Sequence, residues 1–295
     1  MLLITGATGH TGTHVIQKLK AIKFQEPIRC IVRKDSDLSV LNDSRLNIER
    51  CEGTLTDFAF VNSCMKNVDN VLHIAGIHWS ENITRSALAN RVDRVVYVHT
   101  TGRFSRFKSA AEEYIRIEED TIRSGIPYTI LRPTMIYGSQ KDINICKLIE
   151  YIDTHTLFPI FGDGQNLMQP ILSRDLAEAV VSVYFNKEKT LNKCYDVAGK
   201  YPLTYERLLR TISAGLGRNT LFIKIPYAIS ILGAGLYNAI SPSAKISVEQ
   251  VMRMNEERNF SYDSAAADFG FNPSSFDDGV AEQIRQYLET KVSRR

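Results

Sequence analysis

The first twelve residues, MLLITGATGHTG, constrain the fold more than any other stretch of the chain. A short apolar run (Leu2, Leu3, Ile4) leads straight into Gly6-x-x-Gly9-x-x-Gly12, and a helical pattern follows from Thr13 to Leu19. That order is strand, glycine turn, helix. Glycines at this spacing permit a sharp turn, a close approach of backbone to a pyrophosphate, and tight packing of helix on strand. The helix N-terminus then offers unpaired N–H groups and a positive dipole end to phosphate. Gly6, Thr8, Gly9, His10, Thr11 and Gly12 are therefore the candidate phosphate cradle. Three spaced glycines alone are a weak signal, because structural turns produce them too. Here the strand before and the helix after supply the context that a dinucleotide site requires.

Further strand candidates recur at Ile28–Val32, Asn47–Cys51, Asn70–Ile74, Arg94–Val98 and Tyr128–Leu131, with a returning strand at Lys193–Val197. Helical patterns lie between them at Thr13–Ile22, Thr56–Lys66, Asn82–Asn90 and Lys108–Ser124, the last stopped by Gly125-Ile126-Pro127. Such βα alternation predicts an α/β, doubly wound parallel sheet, with ligand at the carboxyl ends of its strands. After Gly138 the regularity changes. Lys141–Thr154 and Arg174–Phe185 read as helices, Phe158–Gln165 as a loop, and the chain from Thr204 onward as mostly helical. The expected division is residues 1–138 plus 170–199 for dinucleotide binding, and 139–169 plus 200–295 for a smaller, mainly helical substrate domain or lid.

Composition narrows the partners. A net charge of +3 with no basic block argues against nucleic acid, and the terminal KVSRR reads as a solvated tail. Five cysteines without C-x-x-C spacing indicate neither a disulfide framework nor a metal site. Cys30 and Cys51 lie in apolar runs and suit packing. The uncharged stretch Ile225–Ser243 has internal glycines and flanking prolines, so a buried or cleft-covering helix fits it better than a membrane span. With no leader before Met1, the expected location is cytoplasmic. The expected partner is a small molecule, and oligomeric state is left open.

At the end of the second strand, where an NAD site places an acid on the ribose hydroxyls, this chain has Ile31-Val32-Arg33-Lys34. A guanidinium can bind a 2′-phosphate bidentately, so Arg33 favours NADP over NAD. A solvated basic turn diluted by Asp35 and Asp37 is the competing reading. Val71–Gly76 ends the fourth strand in small residues, and Ala75 and Gly76 leave room for cofactor against the backbone. His73 reads as a packed core histidine.

Five segments together carry a resemblance: Thr5–Gly12, Val71–Gly76, Val95–Gly102, Leu131–Gly138 and Gln169–Ala177. The chain resembles the short-chain dehydrogenase/reductase superfamily, in its extended and atypical branches, which include nucleotide-sugar epimerases and dehydratases and NmrA-like proteins. The resemblance implies a Rossmann sheet over nearly the whole chain and a nicotinamide cofactor. It adds Thr54 and Leu55 near adenine, with Thr54 standing where the family often has Asp, and Pro133 and Thr134 beside the cofactor.

The family's chemistry uses a Ser or Thr after the fifth strand and Tyr-x-x-x-Lys on the next helix. Thr100 or Thr101 matches the first, and Lys108 falls at the Lys position as a cofactor-ribose ligand and catalytic residue. Four residues earlier stands Phe104, which can neither donate nor accept a proton. Tyr114 is a poor substitute on this reading, because Glu118 one helical turn later would raise its pKa. Two function classes follow. One is an NADP(H)-dependent oxidoreductase or epimerase/dehydratase-like enzyme, acting on a carbonyl compound or nucleotide-sugar, with an atypical site. The other is a dinucleotide-binding redox sensor or assembly subunit. Met168–Ala177, on the substrate side, favours the enzyme.

Overall fold

The structure is a computed structural model that describes residues 1–231, 252–253 and 255–293, with backbone only for 108–110 and 293. Its centre is a seven-stranded, all-parallel sheet made of β1 (Leu2–Thr5), β2 (Ile28–Val32), β3 (Ile48–Glu52), β4 (Asn70–His73), β5 (Arg94–Val98), β6 (Tyr128–Pro133) and β11 (Lys193–Val197). The strand order is β11-β6-β5-β4-β1-β2-β3, so the winding reverses at β1. Loops leaving β1 and β4 diverge there and open a crevice at the strands' carboxyl ends.

Helices α1 (His10–Ala21), α2 (Ser39–Asn42), α3 (Phe58–Cys64), α4 (Ser80–Ala89), α5 (Lys108–Arg123), α6 (Ile145–Thr154), α7 (Ser173–Phe185), α8 (Lys187–Thr190), α9 (Tyr205–Gly215), α10 (Asp263–Phe269) and α11 (Phe276–Ser293) complete the described architecture. Strand β1 is buried on both faces, which explains why its sequence is a continuous apolar run rather than an alternating one. On one face Leu2 and Ile4 meet Val15, Ile16 and Leu19 of α1 together with Leu176, Val180 and Val183 of α7. On the other, Leu3 meets Val61 of α3 and Ile83 and Ala87 of α4. Ala265 and Phe269 of α10 join the first of these layers. A separate apolar cluster gathers Ile145, Ile149 and Ile152 of α6, Leu208, Leu209 and Ile212 of α9, and Phe276, Val280 and Ile284 of α11.

Short strands β7 (Ile136–Tyr137), β8 (Leu157–Phe161), β9 (Leu167–Met168), β10 (Ile171–Leu172), β12 (Leu203–Thr204) and β13 (Leu221–Ile225) form three two-stranded pairs. Two of them correct the sequence reading. Phe158–Gln165 is not all loop, because β8 pairs in parallel with β13, and β13 interrupts the expected helical C-terminal half. Pro159 suggested a break, but a two-stranded sheet uses one edge of each strand, so a missing N–H on the other edge costs nothing. Helix α6 also starts later than expected, at Ile145, where Asp142 accepts from the N–H groups of Asn144, Ile145 and Cys146 at 2.6, 3.1 and 3.1 Å. Of the uncharged stretch 225–243, residues 232–243 lie outside the described residues. No helix among the described residues is long and apolar enough to cross a membrane.

Candidate functional site: a dinucleotide cleft and an adjoining aromatic pocket

A cleft of about 710 Å³ opens at the reversal point of the sheet. Gly6, Thr8, Gly9, His10, Thr11, Gly12, Arg33, Thr54, Leu55 and Ala75 all line it. The structure thus brings together ten residues that the sequence scatters over four βα units.

The three glycines have separate jobs. Gly6 has φ +74°, and a Cβ there would lie 2.9 Å from the Ala75 backbone, so it serves both the turn and the crossing past β4. A Cβ on Gly12 would sit 1.9 Å from the Gly6 carbonyl oxygen, so Gly12 lets α1 close on the turn. Gly9 is extended (φ −79°, ψ −177°), a conformation open to any residue, and its Cβ would meet only the Gly6 oxygen, at 3.2 Å. Gly9 therefore has no need of glycine's backbone freedom. What Gly9 provides is empty space on the cleft side.

The first helical bond of α1 runs from Thr13 N–H to Gly9 O at 3.0 Å, which leaves the amides of His10, Thr11 and Gly12 without intrahelical acceptors. Burial lowers the His10 pKa to about 4, so its ring is neutral, and its buried Nε2 has no protein partner. Open space at Gly9, three free amides and an unpartnered imidazole nitrogen fit the pyrophosphate of a dinucleotide.

On the adenosine side, Arg33 is exposed, and no carboxylate among the described residues pairs with it. Asp37 is committed to capping α2, accepting from Ser39 N–H at 3.0 Å. That bond is the main reason its carboxyl stays below the usual range. Thr54 Oγ1 lies 2.9 Å from Thr56 Oγ1, and the Leu55 carbonyl accepts from Asn82 Nδ2 at 2.8 Å, so this loop is held by its own contacts. Among the cleft residues that the sequence reading did not single out are Ser36, Gly53, Lys141 and Trp79, the chain's single tryptophan. Trp79 carried the only available signal, a large aromatic closely following the β4 turn.

Other expected cofactor residues lie elsewhere. Gly76 (φ +113°) makes the turn after β4 rather than lining the cleft, and its carbonyl accepts from His73 Nε2 at 3.0 Å. Since that carbonyl can only accept, Nε2 carries the proton and Nδ1 accepts from Thr5 Oγ1 at 2.7 Å. Burial lowers the His73 pKa to about 3, which fits its reading as core. The Pro133 carbonyl accepts from Thr101 Oγ1 at 3.1 Å. Thr134 donates its hydroxyl to Gln169 O at 2.5 Å and faces a second pocket. The side chain of Lys108 lies outside the described residues, while its backbone begins α5.

That second pocket, about 230 Å³, is lined by Thr100, Phe104, Tyr114, Thr134, Met168 and Phe260, among others. Phe104 is 46% exposed, with its ring 5.6 Å from that of Phe260. It lies in a 3-10 turn over Thr101–Phe104, ahead of α5, so Phe104 and Lys108 do not share a helix. Thr100 Oγ1 accepts from Gly102 N–H at 3.0 Å and keeps its own O–H to donate. Thr101 has spent its hydroxyl on Pro133, which separates the two threonines that the sequence left equal. Residues near the C-terminus shut the far side: Glu256 accepts from Ser105 Oγ at 2.9 Å and Arg106 N–H at 2.6 Å, and Gln169 Oε1 accepts from Phe260 N–H at 2.9 Å.

Under this pocket lies a buried charge network. Glu118, fully buried, accepts from Arg132 Nη2 at 2.6 Å and Nε at 3.0 Å, and also pairs with Arg103. His99 Nδ1 reaches Glu118 at 3.2 Å, and its Nε2 lies 3.1 Å from Ser80 Oγ. Burial first, then the two guanidiniums, lowers the His99 pKa to about 3. Arg103 and Arg132 both sit against the Phe104 ring, at 5.5 and 5.4 Å from its centroid. The argument from Glu118 against Tyr114 is corrected here, because two guanidiniums cancel that charge and the Tyr114 ring lies over Gly102 on the pocket wall. Asp175, in the family-like segment, holds Ser274 N–H at 2.6 Å and so anchors the chain ahead of α11.

Residues 6–150 match the NAD(P)H-binding family, and residues 96–226 match the 3-beta hydroxysteroid dehydrogenase/isomerase family. These two overlapping matches bear out the resemblance to the short-chain dehydrogenase/reductase superfamily: the chain carries an NAD(P)-binding domain overlapped by a segment similar to the 3-beta hydroxysteroid dehydrogenase/isomerase family. It is 22% identical over 250 residues to quinone oxidoreductase 2 of Escherichia coli, covering 82% of this chain and 84% of that one. The structure of that NADPH-dependent enzyme superposes with a TM-score of 0.73 at 20% identity, covering 98% of this chain and 100% of the other. The crystal structure of gox2253 gives 0.81 at 18% identity, with 98% of each chain covered. A dTDP-glucose 4,6-dehydratase from Streptomyces venezuelae, with NAD bound, gives 0.75 at 16% identity, covering 99% of this chain and 98% of that one. The protein is thus NAD(P)-binding and short-chain dehydrogenase/reductase-like, with oxidoreductases and epimerases or dehydratases among the proteins it is similar to. Among the described residues no cluster of His, Cys, Asp and Glu could hold a metal ion.

Proposed function

We propose that the protein is an NADPH-dependent reductase acting on quinone-type carbonyl compounds. The observation that carries this reading is Phe104, a half-exposed ring where the family's acid would stand. When bound, reduced nicotinamide supplies two electrons as hydride. Glycine-loop amides and His10 hold the phosphates, and Arg33, free of any carboxylate among the described residues, receives a 2′-phosphate.

The acceptor follows from proton bookkeeping. A saturated ketone becomes an alkoxide on reduction, a strong base that needs a positioned acid, and such acids contribute roughly 10² to 10⁴ in rate. A quinone becomes a phenolate-type anion with a pKa near that of tyrosine, about 10, and water suffices to protonate it. Thr100 can donate one hydrogen bond to the acceptor oxygen. Phe104 and Phe260, their rings 5.6 Å apart, give the pocket an aromatic wall against which a flat ring can pack. The similarity to quinone oxidoreductase 2 supports the same choice.

Single-turnover oxidation of protein-bound NADPH tests this, with a benzoquinone, a saturated ketone and a nucleotide-sugar compared. The benzoquinone should be at least about 10²-fold faster than the ketone. A ketone as fast as the quinone overturns the acceptor assignment. Tight NADPH binding with no consumption by any of the three favours the redox-sensor reading instead.

A further inference from the structure

We infer that Lys141, on the connection between β7 and α6, is a clamp that closes over the glycine loop and pairs with the pyrophosphate of the bound dinucleotide. The inference rests on the dinucleotide reading of the cleft and adds a residue from the opposite lip.

Lys141 lines the 710 Å³ cleft, and its Nζ donates to the Thr8 carbonyl at 3.1 Å, across 133 residues of sequence. Thr8 belongs to the turn whose following amides are free, so the ammonium stands where negative charge is wanted. An ammonium has three donors, and the Thr8 carbonyl takes one, leaving two for phosphate oxygens. The groups facing it are Thr8, His10 and Asp37. His10 is neutral, held low by burial with Lys141 pushing the same way. Asp37, on the loop after β2, has its carboxyl lowered first by Ser39 N–H and in smaller part by the charge of Lys141.

Its base is rigid although its tip is exposed. Lys141 N–H donates to Ser139 Oγ at 3.1 Å. The next residue, Asp142, is buried, caps α6 and accepts from Gln283 Nε2 of α11 at 2.9 Å. A phosphate gripped by Lys141 is thereby tied to α6 and α11, whose apolar faces share one cluster with β8 and α9. The clamp joins the cofactor to the substrate-side part of the chain.

Binding measurements test the inference without turnover. Trp79 lines the cleft and reports occupancy by its fluorescence. ADP-ribose, NADH and NADPH all carry the pyrophosphate; 2′-AMP carries only the 2′-phosphate. Lys141→Ala should weaken the first three by a common factor of about ten, the low end for a charge-assisted bond at an exposed site, and leave 2′-AMP unchanged. Lys141→Arg should recover most of the loss. ADP-ribose bound equally well by Lys141→Ala overturns the inference, as does an equal loss of 2′-AMP, which would mean a general field effect. A wild-type protein that binds neither ADP-ribose nor NADPH refutes the dinucleotide reading itself, which is a separate result.

Discussion

Replacing Gly9 and Gly12 separately by alanine should divide binding from folding, although the two lie three residues apart in one loop. At Gly12 the new Cβ would stand 1.9 Å from the Gly6 carbonyl oxygen, against the 3.4 Å at which ordinary contact begins. Backbone, not a flexible side chain, is the obstacle, so α1 must retreat by about 1.5 Å, the difference of those distances. That retreat loosens Val15, Ile16 and Leu19 from the sheet, and overpacking of this kind costs about 1–3 kcal/mol. At Gly9 the backbone already has φ −79° and the nearest atom is 3.2 Å away, so stability should change by less than about 0.5 kcal/mol. The methyl group instead fills space that phosphate needs. Losing one charge-assisted hydrogen bond there is worth about 1.5–3 kcal/mol, or roughly ten- to a hundredfold in affinity. Thermal unfolding followed by circular dichroism reads the first effect, and NADPH titration against Trp79 fluorescence reads the second. A Gly9→Ala protein that binds NADPH as wild type does, or a Gly12→Ala protein of wild-type Tm, would show that the loop geometry has been misread.

Three further outcomes are expected. Arg33→Asp should weaken NADPH by roughly ten- to a hundredfold with little change for NADH, and equal affinity of the unmutated protein for both cofactors would sink the assignment of Arg33. Phe104→Tyr should raise single-turnover reduction of a saturated ketone measurably, by up to the roughly 10²–10⁴ that a positioned acid supplies, while the quinone rate stays level; no gain on the ketone means that the ring only packs. His73 and His99, each held at about 3 in the fold against 6.5 unfolded, bind fewer protons folded than unfolded. Their contribution is complete above pH 6.5 and is lost as pH falls from there toward 3, by about 2 kcal/mol each at pH 5. A Tm that is flat between pH 7 and pH 5 contradicts this.

Strands β2 and β5 were legible to the residue, because buried parallel strands are written as apolar runs, and the edge strand β11 was legible too although it carries Lys193 and Asp196. The cradle was legible for the same local reason: strand, glycines and helix are contiguous. Legibility fails where partners are remote. Pro159 was a reason for a loop until β13, some sixty residues later, supplied a one-sided partner. Lys141 looked like the start of a helix, and nothing local says that its ammonium crosses to Thr8. Glu118 looked like a neighbour of Tyr114 by helical spacing, yet its charge belongs to Arg103 and Arg132, one from the turn before α5 and one from β6. Spacing gives which side chains share a helix face; it does not give which charges meet beneath it.

The chain Ser80–His99–Glu118 has a consequence of its own. Hydroxyl, imidazole and carboxylate are bonded in the order used by serine hydrolases, and a search by connectivity alone would score it as one. Every other requirement is missing. His99 must take a proton near neutral pH to act as a base, and the fold holds it neutral down to about pH 3. The carboxylate that should steady an imidazolium already faces two guanidiniums. All three side chains are sealed from solvent, so no ester or amide could reach the hydroxyl. The same bonds that would make a nucleophile at a surface make, at this depth, a fastener between α4, the end of β5 and α5.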